Sequence, residues 1–158
     1  TSLPMHRVSR KENGFGRNTS AFEIAKQVKR AARAVVREAQ GRGNQVRYNR
    51  MTERTLEVLL MRALPRDLLA RGADQVRNER GGVADITINP HLEFRGGMVV
   101  ELKVNDRPNP TRRGEQQLKS YMIPKWGRQY RYKYGILLVF PKETPDVDGV
   151  RAWYYQCH

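Results

Sequence analysis

Apolar positions in this chain recur first at helical spacing and then at strand spacing. Between Ser20 and about Gln40, Ile24, Val28, Ala31, Val35 and Ala39 fall three or four residues apart, which predicts an amphipathic helix. Ser20 is placed to cap it, Glu23 completes a capping box, and Gly41 or Gly43 ends it. Thr52 is placed to cap a second helix over 53–63, with Leu56, Leu59, Leu60 and Leu64 as its buried stripe. Pro65 opens a short helical turn that ends near Gly72. The period then becomes two, and Asp74–Glu79, Val83–Asn89 and Met98–Val104 read as strands, the first pair joined at Gly81-Gly82. Thr111 opens another helix that Pro124 ends. Tyr134–Phe140 and Val150–Tyr155 read as two further strands, and residues 1–18 as a loose basic leader. The order α-β-β-β-α-β(-β) predicts an α/β fold with a mixed sheet flanked by helices.

Composition narrows the class. The chain has 158 residues, a length for one domain with at most an extra arm. Hydrophobic residues make up 39% and charged residues 29%, enough apolar content for one core, so full disorder is excluded. No run of 18 apolar residues exists to span a membrane, and no signal-peptide pattern opens the sequence. The one cysteine, Cys157, excludes an internal disulfide and a cysteine-built zinc site. The first residue is Thr1 rather than Met, which gives the expectation of a fragment or a processed C-terminal domain.

Charge adds a partner. Lys and Arg number 30 against 16 Asp and Glu, a net charge of +14, and 22 of the 30 are Arg, which grips phosphate bidentately. Residues 1–50 carry 12 basic and 3 acidic residues, so the excess is concentrated there. Such an excess points to a polyanion, nucleic acid first, with an acidic protein as the other source of neutralisation. On the first helix, Lys26, Lys29, Arg30, Arg33 and Arg37 form a basic face that either follows phosphates or is simply solvated.

The candidate chemistry sits in Met98–Val104. Side chains alternate along a strand, so Met98, Val100, Leu102 and Val104 share the core face and Val99, Glu101 and Lys103 the other. In Val83–Asn89, Asp85, Thr87 and Asn89 likewise share a face opposite Ala84, Ile86 and Ile88. If the two strands pair, Asp85 comes beside Glu101, and two carboxylates converge with the ammonium of Lys103. Like charges gathered in one buried place require neutralisation, and a divalent cation with a taste for oxygen, Mg²⁺ or Mn²⁺, supplies it. Lys103 would then orient or deprotonate a water or stabilise developing charge. The same residues could equally form cross-strand salt bridges.

The stretch "GGVADITI…MVVELKV", with Asp85 followed by Glu101-Leu102-Lys103, resembles the PD-(D/E)xK nuclease superfamily. In "GEQQLKSYM", Gln117-Leu118 and Tyr121 resemble the Q-L-x-x-Y element of its RecB-like members. The resemblance covers roughly residues 50–140, and Ala84 stands where the motif has a proline. It implies a restriction-endonuclease-like α-β-β-β-α-β core over 46–158, with 1–45 as a basic leader and helical extension. It also implies Mg²⁺-dependent phosphodiester hydrolysis. Asp85 and Glu101 would be metal ligands, Lys103 a catalytic residue, and Gln117 and an acid of the preceding helix would assist. Glu53 is preferred for that acid, with Glu57 one turn on as the alternative. Lys26, Lys29, Arg30, Arg33, Arg37, Arg112, Arg113 and Lys119 would hold the nucleic-acid backbone. DNA is the first expected substrate and RNA, including tRNA, the second. A toxin or antiphage effector acting in the cytoplasm, delivered as the end of a larger secreted protein and met by an acidic immunity protein, suits such a domain. The rival reading is a non-catalytic nucleic-acid-binding module on the same fold.

Other features carry less. His6, His91 and His158 are far apart and make no metal triad. Asn13-Gly14-Phe15-Gly16-Arg17 lacks the strand and the lysine of a phosphate-binding loop. The cations and aromatics of Arg128–Tyr134 fit base stacking and, equally, an amphipathic lead-in to a strand.

Overall fold

The computed structural model describes residues 5–8, 19–41, 48, 50–68, 70–72, 86–88, 97–105, 108–122, 132–142 and 144–157. The elements in chain order are β1 (Met5–Val8), α1 (Thr19–Gly41), α2 (Glu53–Ala63), β2 (Ala70–Gly72), β3 (Ile86–Ile88), β4 (Met98–Val104), α3 (Pro110–Met122), β5 (Tyr134–Phe140) and β6 (Arg151–Cys157). Short 3-10 turns cover Arg66–Leu68 and Val147–Gly149. The six strands form one mixed sheet in the order β1-β6-β5-β4-β3-β2. Only β4 and β5 run parallel, and α3 connects them; every other neighbouring pair is antiparallel. The chain is thus a mixed α/β protein.

β4 and β5 are buried at every position, so both read as unbroken apolar runs rather than as alternating strands. Helices cover both faces of the sheet. On one face Met98, Val100, Leu102 and Val104 join Tyr134, Ile136, Leu138 and Phe140 in a cluster with the apolar sides of α1 and α2. On the other, Val99, Leu137, Val139, Tyr155 and Cys157 pack with Leu118 and Met122 of α3. Two glycines let α3 approach closely. A Cβ on Gly114 would stand 2.2 Å from Leu137 Cδ1, and one on Gly135 would stand 2.6 Å from Met122 Sδ. The Cys157 thiol is buried under the same helix, donating to the carbonyls of Met122 and Tyr132 at 3.5 Å each.

Several local expectations change. α1 starts at Thr19, so Ser20 lies inside the helix rather than capping it. The helix's apolar stripe is wider than expected, because Ala21, Ala25, Ala32 and Val36 are also buried. Residues 21–39 of α1 thus share one core cluster with α2, β4 and β5. Within the expected leader, Met5–Val8 forms an edge strand on β6, tied down by an ion pair from Arg7 to Glu115 of α3. The turn after Pro65 closes at Leu68, and Ala70–Gly72 instead pairs with Ile86–Ile88, which satisfies its backbone groups in a ladder. Asp74–Glu79 and Gly81-Gly82 lie outside the described residues. α3 opens at Pro110 rather than Thr111, since proline's fixed φ and missing N–H suit a first helical turn. Asn109, immediately before it, adopts φ 56°, a left-handed conformation that asparagine tolerates.

Candidate active site

The site is built on the centre of the sheet. Glu101 and Lys103 lie on the α3 face of β4, registered against Leu137 and Val139 of β5. Both side chains are enclosed, Glu101 at 2% exposure and Lys103 at 7%. Their charged atoms approach to 3.4 Å. A buried lysine or glutamate is held charged only with a partner, and each here supplies the other with one.

The second carboxylate near Lys103 comes from α2. Thr52 caps this helix, its hydroxyl accepting from the Thr55 N–H at 3.2 Å. The cap puts Glu53 in the first turn, where an acid also suits the positive end of the helix dipole. Glu53 Oε2 lies 4.0 Å from Lys103 Nζ, and its side chain keeps 42% of its exposure. Glu57 is buried instead and accepts from Arg54 Nη1 at 3.0 Å. Of the two candidate acids, Glu53 therefore reaches the lysine. It does so from the rim, whereas Glu101 sits inside.

Asp85 lies outside the described residues. Ile86, which follows it, pairs antiparallel with Val100, which precedes Glu101. Among the described residues, no group of three or more Asp, Glu, His or Cys side chains forms a metal-holding cluster. Gln117 is exposed on α3, while Tyr121, one turn on, packs partly against the α3-side core.

The basic residues are spread unevenly. On α1, Arg30 and Arg37 are exposed; Lys29 and Arg33 are half-buried. Lys26 is paired with Glu23 at 2.7 Å and stands 4.9 Å from the Phe22 ring. On α3, Arg112 is exposed, Lys119 half-buried, and Arg113 donates from Nε to the Pro108 carbonyl at 3.4 Å. In the Arg128–Tyr134 stretch, positions 128–131 lie outside the described residues. No described helix is long and apolar enough to cross a membrane.

Two features were not singled out from the sequence. Arg7, Glu115 and Tyr155 meet on the α3 face, the Tyr155 hydroxyl donating to Glu115 Oε1 at 2.5 Å. Burial, reinforced by Glu115, holds the Tyr155 phenol well above its ordinary pKa. The Arg7 guanidinium is raised in turn, first by its hydrogen bond to Glu115. Glu115 lies 108 positions from Arg7 and 40 from Tyr155, so no local pattern signals them. The other is Thr87, 2% exposed and cross-strand partner of Val99. Strand alternation had placed it on the Asp85 face without giving it a role.

No family model, curated protein or solved structure matches the chain.

Proposed function

We propose that this protein is a metal-dependent nuclease with a restriction-endonuclease-like core, cleaving phosphodiester bonds of DNA. The observation that carries the reading is the placement of Lys103 between Glu101, at 3.4 Å, and Glu53, at 4.0 Å. Two acids and an amine meet on a buried central strand of a chain with net charge +14. The element order α2-β2-β3-β4-α3-β5 supports it, being the α-β-β-β-α-β order that the resemblance implied.

The donor set fits a hard divalent cation. Carboxylate oxygens from Glu101 and Glu53 suit Mg²⁺ or Mn²⁺ rather than a metal that prefers sulfur or imidazole. A cation bound there would stabilise charge on the phosphoryl oxygens and acidify a bound water. The protein's own groups do the rest. Glu101, fixed by the sheet, holds the metal; Glu53, at the rim, completes its charge. Asp85 would be the further ligand, as the family resemblance implies. Lys103 donates to the attacking water or to a phosphate oxygen, its position set by Glu101. Gln117, exposed on α3, contacts the substrate. Arg30, Arg37 and Arg112, all solvent-facing, hold the phosphate backbone.

The test is incubation with supercoiled plasmid and, separately, with total tRNA, in Mg²⁺ and then in EDTA. The expected result is nicking of plasmid that needs Mg²⁺ and is lost in Glu101→Gln and Lys103→Ala. Cleavage of tRNA alone would move the substrate to RNA. Binding without cleavage of either, in Mg²⁺ and in Mn²⁺, would leave a binding module and overturn the enzyme.

A further inference from the structure

A buried hydroxyl with no partner loses its solvation without compensation and calls for a reason. Thr87 Oγ1 is such a group: the side chain is 2% exposed and the oxygen has no hydrogen-bond partner among the described residues. Valine has the same shape, equal or better strand propensity and no such cost, so packing alone does not favour threonine here. Arg33 Nε and Arg113 Nη2 are also buried without a partner, but each belongs to a half-buried arginine with other nitrogens.

The position of Thr87 supplies the reason. It pairs across the strand with Val99, so its side chain shares the face of Val99, Glu101 and Lys103. Glu101 is its diagonal neighbour, two residues along β4. Diagonal positions on adjacent strands are about 7–8 Å apart, within reach of a long side chain such as that of Glu101, yet Thr87 Oγ1 makes no hydrogen bond to it. One water between the two side chains would complete the contact.

We propose that Thr87 positions a water bound to the divalent ion held by Glu101, its hydroxyl accepting a hydrogen bond from that water. The inference rests on the nuclease reading and deepens it. The hydroxyl touches neither the ion nor the scissile bond; it fixes the orientation of one coordinated water and raises the affinity of the ion. Partners of this kind typically account for 10-fold or more in metal affinity.

The experiment is calorimetric titration of the whole chain with Mn²⁺, beside thermal unfolding without metal. Thr87→Val is expected to weaken Mn²⁺ binding about tenfold, with a metal-free Tm equal to or above that of the unaltered protein, because no hydrogen bond to a described residue is lost. Thr87→Ser, which keeps the hydroxyl, restores the affinity, and Thr87→Ala repeats the loss should valine disturb the strand. A Thr87→Val protein that binds Mn²⁺ as well as the unaltered chain overturns the inference. Glu101→Gln separates the two levels. If it abolishes Mn²⁺ binding while Thr87→Val leaves binding unchanged, only the role of Thr87 falls. If the unaltered protein shows no Mn²⁺ binding that depends on Glu101, the nuclease reading falls and this one with it.

Discussion

Lys103 and Glu101 form an ion pair with 3.4 Å between their charged atoms, both side chains enclosed by the sheet and the helices on it. Removing one member of such a pair leaves the other charge buried and exposed to the full desolvation cost. Lys103→Met is therefore expected to destabilise the fold by about 3 kcal/mol, and Glu101→Gln/Lys103→Met together by much less. Urea unfolding of the two single variants and the double one measures the coupling. A loss in the double variant equal to the sum of the two single losses would show that the pair carries no mutual stabilisation.

Helix propensity and packing oppose each other at Gly114. Alanine would favour the helix by about 1 kcal/mol, but its Cβ would stand 2.2 Å from the fully buried Leu137. Overpacking a core contact costs about 1–3 kcal/mol, so Gly114→Ala is expected to lower Tm despite the better propensity. A raised Tm would mean that Leu137 swings aside without loss.

The Tyr155 phenol is held neutral by burial and by its bond to Glu115. Its pKa is raised on folding, so its stabilisation is complete below the unfolded value, about 10, and is lost as pH climbs from there towards the folded value. Burial raises Tyr48 in the same direction, its hydroxyl donating to the Pro141 carbonyl at 2.6 Å. Stability is expected to fall steeply above about pH 10. Tyr155→Phe should cost about 1 kcal/mol at pH 7 and make that fall shallower. Urea midpoints from pH 7 to 11 supply the comparison.

Arg30 and Arg37 project from α1 on the side away from its core stripe. Arg30→Gln and Arg37→Gln should leave Tm unchanged and weaken DNA binding across all sequences. Each should reduce the steepness of the log affinity against log salt plot by about 0.9. Titration at several salt concentrations reads this, and an unchanged slope in both variants would remove α1 from the binding surface.

How much of this was legible in the sequence varies with the range of the forces involved. α2, β4 and β5 were readable to the residue, because a threonine cap, a proline and unbroken apolar runs are local signals. Alternation along β4 correctly separated Leu102 from Glu101 and Lys103. The approach of Glu53 to Lys103 was anticipated only through the family resemblance, since nothing local links residues 50 positions apart. β1 was hidden because four residues bearing a histidine and an arginine become a strand only when β6 offers its edge. The burial of α1 was underestimated for a related reason: alanines at Ala21, Ala25 and Ala32 are weak signals singly, yet together they let the helix lie close to its neighbours.

The lone sulfhydryl of the chain has a practical use. Cys157 is sealed beneath the end of α3 and stitched into the sheet by its own N–H, which donates to the Lys133 carbonyl at 2.8 Å. A thiol-specific dye reaches it only when the last strand peels away or the helix lifts. The speed of labelling under native conditions is thus a gauge of how often this border of the protein breathes, obtained without introducing a single foreign residue.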